Sequence, residues 1–143
     1  MLGFWRGSGG AEATVRESGT PFGLTMNCTL NWGFSSQTAG AFTGSLSARG
    51  QSPSSDWRCA HQGSVSGQLE SDGRLSIRFD PPFTPGGCTN IAQSDSMIGQ
   101  MNGDDAFTVT ATGSGNCQFV MGNPDPALRK DVDYTLTLTG RRR

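Results

Sequence analysis

Charged residues are scarce in this chain of 143 residues, at 16% of the composition, and the sequence holds one histidine and one tyrosine. The formal net charge is −1, and the 11 lysines and arginines are spread along the chain apart from a terminal run at residues 141–143. A surface that follows nucleic-acid phosphates needs a clustered basic face, so the composition argues against a nucleic-acid partner. We interpret the arginine run as a solvated basic tail.

Long apolar runs are also missing. No stretch approaches the roughly 18 residues that a transmembrane helix needs, so the sequence predicts no membrane-spanning segment. The start shows no signal peptide, because Met1, Leu2 and Gly3 lead directly into Phe4 and Trp5. We therefore expect that an export signal or lipid-anchor region has been removed from this form of the chain. Glycine, in 21 copies, and neutral polar residues fill the sequence instead, as is common in exported β proteins.

The cysteines lie at Cys28, Cys59, Cys88 and Cys117, without any Cys-x-x-Cys pair. An even, scattered set predicts two disulfides and an exported protein, whether periplasmic, extracellular or lipid-anchored to the envelope, and reduced cytosolic thiols are the alternative. A zinc site would need closer ligands or more histidines, so we predict no metal. Four cysteines allow three connectivities, and the sequence leaves that choice open. We favour bridges between sequence neighbours.

Apolar residues recur at every second position, which is the period of a strand with one buried face. The clearest run spans residues 22–32. Shorter runs with the same alternation cover residues 42–46, 65–69, 75–79, 97–101, 107–111, 117–121 and 134–138. With a first strand somewhere in residues 3–16, the sequence predicts eight or nine strands and no convincing helix.

Tight turns join several of these runs directly. Residues 71–73 (Ser-Asp-Gly) and 102–104 (Asn-Gly-Asp) carry the Asp-Gly and Asn-Gly pairs that favour hairpins. The two hairpins, residues 65–77 and 97–109, resemble each other at an offset of 32 residues, as copies of one unit would. We therefore predict a single all-β domain over residues 1–143, built as an antiparallel up-and-down barrel, with a two-sheet sandwich as the alternative.

Three connections are longer than a tight turn: residues 49–62, 80–94 and 122–132. In a meander the first two lie at the same end of the barrel. Long loops gathered at one end commonly form the mouth of a barrel, where binding residues concentrate.

The first and last predicted strands carry a pattern known from one barrel family. Gly3-Phe4-Trp5, together with Arg141 after the last alternating run, resembles the Gly-x-Trp and arginine of the lipocalins, members of the calycin superfamily that also holds the avidin-type barrels. The resemblance implies that the Arg141 side chain covers the Trp5 ring and closes the narrow end of the barrel. It assigns both residues a structural role.

No catalytic constellation emerges from the polar residues. His61 lies two residues from Cys59, but a Cys–His nucleophile pair needs a free thiol, so a histidine in a surface loop is the preferred interpretation. Most aspartates fall at predicted turns, and their spacing selects no glycosidase-type pair. We predict no cofactor and no enzymatic activity, with a small barrel isomerase or cyclase as the alternative.

The sequence therefore favours an exported binding module that holds a small apolar ligand or docks a protein through its mouth loops. The candidate contacts are Trp57, Pro82 and Phe83 on the long connections, and Trp32 and Met97 on the apolar face of the strands. The alternative is an accessory structural subunit of a larger cell-envelope or membrane-associated complex.

Overall fold

The computed structural model describes residues 1–22, 28–50, 59–84, 86–94, 96–118 and 129–143. Regular structure in these ranges consists of nine β-strands, and no helix there has the length and apolar character to cross a membrane. The strands are β1 (Gly3–Val15), β2 (Cys28–Thr38), β3 (Ala41–Gly50), β4 (Ala60–Leu69), β5 (Arg74–Asp80), β6 (Cys88–Gln93), β7 (Ser96–Met101), β8 (Ala106–Gln118) and β9 (Arg129–Arg142).

Eight of the strands close into an antiparallel barrel. Their order is β8-β7-β5-β4-β3-β2-β1-β9, and β9 also pairs with β8, which completes the ring. The ladder between the first and last strands runs from Trp5 opposite Arg142 to Val15 opposite Val132. The predicted up-and-down barrel is confirmed, and the sandwich alternative is wrong because closure leaves a single ring of strands rather than two stacked sheets.

One strand lies outside this ring and was not predicted. β6 falls within the connection expected over residues 80–94 and pairs with β8 from Cys88 opposite Cys117 to Gln93 opposite Gly113. It follows the same edge of β8 as β7, beyond the end of the β7 ladder. Asn90 has a φ of 53°, and the β6–β8 register shifts at this point. Such a bulge breaks the alternation of buried and exposed residues, so a period of two could not reveal this strand.

Both predicted hairpins are present. β4 and β5 pair up to Leu69 opposite Leu75, and β7 and β8 pair up to Met101 opposite Phe107. Gly73 and Gly103, with φ of 88° and 76°, supply the left-handed conformation that each turn requires.

Two predicted strands extend into residues outside the described ranges. In the strand expected over residues 22–32, residues 28–32 belong to β2, residues 23–27 lie outside the described residues, and the Phe22 backbone N–H donates to the Ala13 carbonyl at 2.9 Å. The run predicted at residues 117–121 is the end of β8, which extends to Gln118, and residues 119–121 lie outside the described residues.

Both disulfides join sequence neighbours, as favoured above. Cys28 bonds to Cys59, which ties the start of β2 to the residue before β4, and Cys88 bonds to Cys117 across the β6–β8 pair. All four cysteines are therefore oxidised. The first bridge lies beside the end of β3, where Cys28 pairs with Gly50, and the second fixes the outside strand to the barrel.

The barrel has two unlike ends. The closed end carries the β2–β3, β4–β5 and β7–β8 turns and both chain termini, where the Arg143 backbone N–H donates to the Phe4 carbonyl at 3.1 Å. The mouth, at the opposite end, carries the β1–β2, β3–β4, β5–β6 and β8–β9 connections. The two long connections predicted to share an end do so. Aromatic side chains fill the closed end: Trp5, Trp32, Phe34, Phe42 and Phe107 are all buried.

Candidate functional site

Trp5 lies at the closed end of the barrel. Its side chain is 1% exposed, its Nε1 donates to the Met1 carbonyl at 3.0 Å, and its ring contacts that of Phe107. The guanidinium that covers this ring belongs to Arg142, at 4.7 Å from the ring centre. The resemblance implied Arg141, but Trp5 lies opposite Arg142 in the β1–β9 ladder and Arg141 is exposed. Paired residues share a face, so the register selects the arginine one position later.

The inward-facing side chains become small towards the mouth on β1 and β8, the two strands that flank β9. On β1, Trp5 is followed on the same face by glycine and alanine, and on β8 Phe107 and Val109 are followed in the same way. Side chains alternate between the two faces along each strand, which places these small residues on the inner face: Gly7, Gly9, Ala11, Ala13, Ala111, Gly113 and Gly115. At the mouth, β1 and β8 therefore contribute little side-chain volume to the interior, whereas β9 between them contributes Val132 and Tyr134.

A cleft of about 960 Å³ lies at this part of the mouth and opens to solvent. We call it the mouth cleft. Its described lining consists of residues 11–14 of β1, 92–94 around the end of β6, 112–114 of β8 and 133–135 of β9, with Pro21 and Phe22. The charged residues in this lining, Glu12 and Asp133, are both acidic, and Asp133 is paired with Arg16 at 3.0 Å.

A chain of hydrogen bonds runs from the mouth cleft towards the interior. The Tyr134 hydroxyl lies 3.3 Å from Gln93 Oε1, to which it donates, and Gln93 Nε2 donates to the Phe83 carbonyl at 2.6 Å. The Tyr134 ring lies against β8, since a Cβ at Gly113 would be 2.6 Å from its atoms. Glycine at position 113 therefore makes room for the ring. Burial raises the pKa of Tyr134 to about 12, which keeps the hydroxyl protonated at neutral pH.

Tyr134 is the one tyrosine in the sequence, so its ionisation can be followed directly by ultraviolet absorbance. We expect its titration in the folded protein to centre near a pKa of about 12 rather than the ordinary value of about 10. The neutral form is favoured in the folded state, so this contribution to stability is complete below about pH 10 and is lost as the pH rises towards about 12. A titration midpoint at the ordinary value in the folded protein would contradict the burial of Tyr134. Tyr134→Phe, which has no tyrosine, gives the background absorbance.

The predicted contact residues lie at different depths. Trp57 falls outside the described residues. Pro82 is exposed, whereas Phe83 is 2% exposed and packs in the interior rather than on the surface of the connection. Pro82, Phe83 and Met97 meet around a void of about 10 Å³. Trp32 packs in the closed end, where its Nε1 donates to the Thr139 carbonyl at 3.0 Å. The interior is therefore filled from the closed end up to Phe83.

His61 belongs to a strand rather than to a surface loop. It lies on β4 with its ring centre 5.1 Å from that of Phe83 and 6.2 Å from that of Phe79. Its Nε2 is buried without a hydrogen-bond partner, and burial lowers the pKa of the imidazole. Cys59 is bonded to Cys28, so a Cys59–His61 nucleophile pair is excluded.

Sequence reasoning missed Gln93, Tyr134 and the alanines of β1. Gln93 lies in the strand that the periodicity did not show, and its role depends on contacts with β9 and the β5–β6 connection. The available signal was the run of glycine and alanine at alternate positions of residues 7–13, which indicates an inner face with little side-chain volume. Among the described residues, no group of three histidine, cysteine or acidic side chains is placed to hold a metal ion.

The topology and the mouth cleft define the class of fold, a closed eight-stranded up-and-down β-barrel with one additional strand. It fits the lipocalin-like barrel that the Gly3-Phe4-Trp5 pattern implied. Among solved structures, the chain is similar to EF1p2_mFAP2b bound to DFHBI, with a TM-score of 0.52 and 16% sequence identity over 99% of this chain and 93% of that chain. Likeness at this identity concerns the fold. No protein-family model and no curated protein matches the chain.

Proposed function

We propose that this protein is an exported, non-enzymatic, calycin-like barrel that binds one small, uncharged and mainly apolar ligand in the mouth cleft. The observation that carries the proposal is the unequal filling of the barrel. Aromatic side chains pack the closed end, whereas glycine and alanine line the wall beside a cleft of about 960 Å³.

The size and lining of the cleft match a small-molecule site. Such sites typically measure about 300–1,000 Å³ and combine an apolar wall with a few fixed polar groups. Here Ala11, Ala13 and Phe22 supply apolar surface, and the Tyr134–Gln93 pair supplies a polar group whose geometry is set by hydrogen bonds. Ligand and cleft would exclude water from each other's apolar surfaces, which is the main source of affinity.

The charges around the cleft favour an uncharged ligand. A carboxylate or phosphate placed there would find no lysine or arginine in the described lining to neutralise it, since the two charged residues, Glu12 and Asp133, are acidic and lie on the outward-facing positions of β1 and β9. Burying an unpaired charge is strongly unfavourable. Fatty acids and other anions therefore suit this cleft poorly.

Three further observations support the proposal. A solved barrel of similar fold is bound to the small molecule DFHBI. Two disulfides fit an oxidising, exported environment. The oxidised state of Cys59 removes the nucleophile that the sequence offered beside His61.

A role as an accessory subunit of a larger assembly is the second candidate. Phe4 is 73% exposed on the outer wall near the closed end, and Leu2 is 49% exposed beside it. Exposed aromatic residues contribute strongly to protein interfaces. Because these side chains lie away from the mouth cleft, docking and ligand binding would use separate surfaces.

Binding of the neutral dye Nile red tests the main proposal. We expect saturable one-site binding with increased fluorescence, and much weaker binding of the anionic dye anilinonaphthalene sulfonate. Ala11→Phe should weaken Nile red binding by roughly ten-fold or more, because the ring occupies ligand volume and a loss of about 1.4 kcal/mol is a factor of ten. Fluorescence titration measures both constants.

Ala41→Phe is the matched control, since Ala41 is exposed at the closed end and the same side chain there leaves the cleft unchanged. Circular dichroism and thermal melting confirm that each variant folds. Equal binding by the two variants, or no saturable binding by the unmodified protein, would refute a ligand site in the mouth cleft.

A further inference from the structure

His61 Nε2 is an anomaly in the interior. Among the side-chain nitrogen and oxygen atoms that the structure describes, it is the buried one without a hydrogen-bond partner. Buried polar atoms are nearly always satisfied, and an exception calls for an explanation such as a missing water, ion or ligand. The atom lies on the inner face of β4, in phase with the buried Val65 of the same strand.

Three rings form what we call the aromatic box: His61, Phe79 and Phe83. Their centres lie 5.1 Å apart for His61 and Phe83, 6.2 Å for His61 and Phe79, and 6.0 Å for Phe79 and Phe83. These are the tilted and edge-to-face separations at which aromatic rings attract one another. The three rings therefore form a triangle in which each ring contacts the other two.

The Phe83 ring does not belong to the barrel wall. His61 and Phe79 are on β4 and β5, whereas Phe83 is on the β5–β6 connection, beyond the last pair of the β4–β5 ladder. Its carbonyl accepts a hydrogen bond from Gln93. Moving Phe83 out of the box therefore breaks no strand pairing.

The aromatic box is connected to the mouth cleft. Gln93 lines both the cleft and the small void beneath Phe83, and its amide links Tyr134 to the Phe83 carbonyl. Gln93 therefore joins the lining of the mouth cleft to the loop residue whose ring completes the aromatic box.

We propose that the position of the Phe83 ring is an inner subsite of the mouth cleft, that Phe83 is a replaceable plug, and that the ligand is an aromatic molecule carrying a hydroxyl group that bonds to His61 Nε2. This inference rests on the proposed function, because it extends the same cleft inward. The ligand ring replaces the Phe83 ring against His61 and Phe79. A phenolic hydroxyl satisfies either tautomer of His61, since it both donates and accepts.

The burial of the His61 imidazole is consistent with a hydrogen bond to an uncharged ligand. It lowers the pKa of His61, so the imidazole is neutral at neutral pH and presents no charge to an uncharged ligand. The inner subsite and the described lining of the mouth cleft therefore both lack a positive charge that would neutralise an anion.

Phenol and toluene, which have nearly the same shape, test the proposal in the full-length protein. In Phe83→Ala, which vacates the box, we expect phenol to bind about ten-fold more tightly than toluene, equal to about 1.4 kcal/mol for one hydrogen bond. His61→Phe in the same background should retain toluene binding and abolish the preference for phenol. In the unmodified protein, phenol should bind more weakly than in Phe83→Ala, because it must displace the plug.

The one histidine of the sequence gives a direct spectroscopic readout. Phenol should shift the imidazole nitrogen resonance of Nε2, and toluene should leave it nearly unchanged. If Phe83→Ala does not fold, Phe83→Leu provides a smaller opening for the same titrations. Equal affinities for phenol and toluene, or an Nε2 resonance that phenol does not move, would overturn the inner subsite.

The Nile red experiment separates this failure from failure of the proposed function. Nile red binding that responds to Ala11→Phe, together with no contact between phenol and His61, would leave the mouth cleft as a ligand site and refute the subsite. Absence of binding by both probes would refute both.

Discussion

Removing the Cys28–Cys59 bridge by the double substitution Cys28→Ala and Cys59→Ala is expected to lower the free energy of unfolding by about 3.6 kcal/mol. The bridge spans 31 residues, and the chain-entropy model assigns a closed loop of this length a contribution of that size. A domain of ordinary stability has roughly 5–15 kcal/mol in total, so the loss is large. Urea denaturation, extrapolated to water, measures it.

The second bridge supplies the internal control. Cys88–Cys117 spans 29 residues, so its removal should have a similar effect. Treating the unmodified protein with a reductant should produce a loss close to the sum of the two, whereas treating the first double variant should produce only the contribution of the second bridge. A urea midpoint that reductant leaves unchanged would show that the bridges do not limit the unfolded chain in this way.

Trp5→Ala is expected to destabilise the protein by about 3–5 kcal/mol, the range for truncating a large buried aromatic residue. The ring is 1% exposed, contacts Phe34 and Phe107, and lies beneath the Arg142 guanidinium. Its removal leaves a cavity at the closed end and deprives the Met1 carbonyl of its donor. Thermal and urea unfolding provide the measurement.

Phe4→Ala is the matched control for this substitution. Phe4 precedes Trp5 on β1, but alternation turns it outward, where it is 73% exposed. Its truncation should change the unfolding free energy by no more than about 0.5 kcal/mol, as for most surface positions. Equal changes in the unfolding free energy for Trp5→Ala and Phe4→Ala would mean that the packing of Trp5 at the closed end does not stabilise the barrel.

Local rules predicted most of the barrel. The alternation of residues 65–69 and 75–79 reports which face of each strand is buried, and the Asp-Gly pair between them reports a tight turn. Both signals depend only on neighbours in sequence, and the structure confirms them in β4 and β5. The same reasoning failed for β6, where the positive φ of Asn90 shifts the pairing and removes the alternation.

The arginine over Trp5 was misplaced because the resemblance, and not the strand period, selected Arg141. Alternate positions run from Tyr134 through Leu138 to Arg142, so the period places Arg142 on the inner face of β9, but it does not tell that Arg142 stands opposite Trp5. That pairing joins the first and last strands and is fixed by closure of the whole barrel. A shift of one residue separates Arg141 from Arg142 and exchanges an outward side chain for one that covers the ring.

The candidate site was the least predictable part because its contacts join distant strands. Gln93 bonds to Tyr134 and to Phe83, and none of the three is close to another in a predicted strand pair. His61 could have been placed inward from the sequence, since alternate positions run back from Val65 through Gly63 to it. The missing information was that β4 begins at Ala60.

The position of the two chain ends determines how this barrel presents its cleft. Both ends lie at the closed end, with the Arg143 backbone N–H bonded to the Phe4 carbonyl. A tether, fused domain or solid support attached at either end therefore leaves the mouth directed away from the attachment point. An immobilised sample would expose its cleft to the bulk solution without steric obstruction, whichever end is used for coupling.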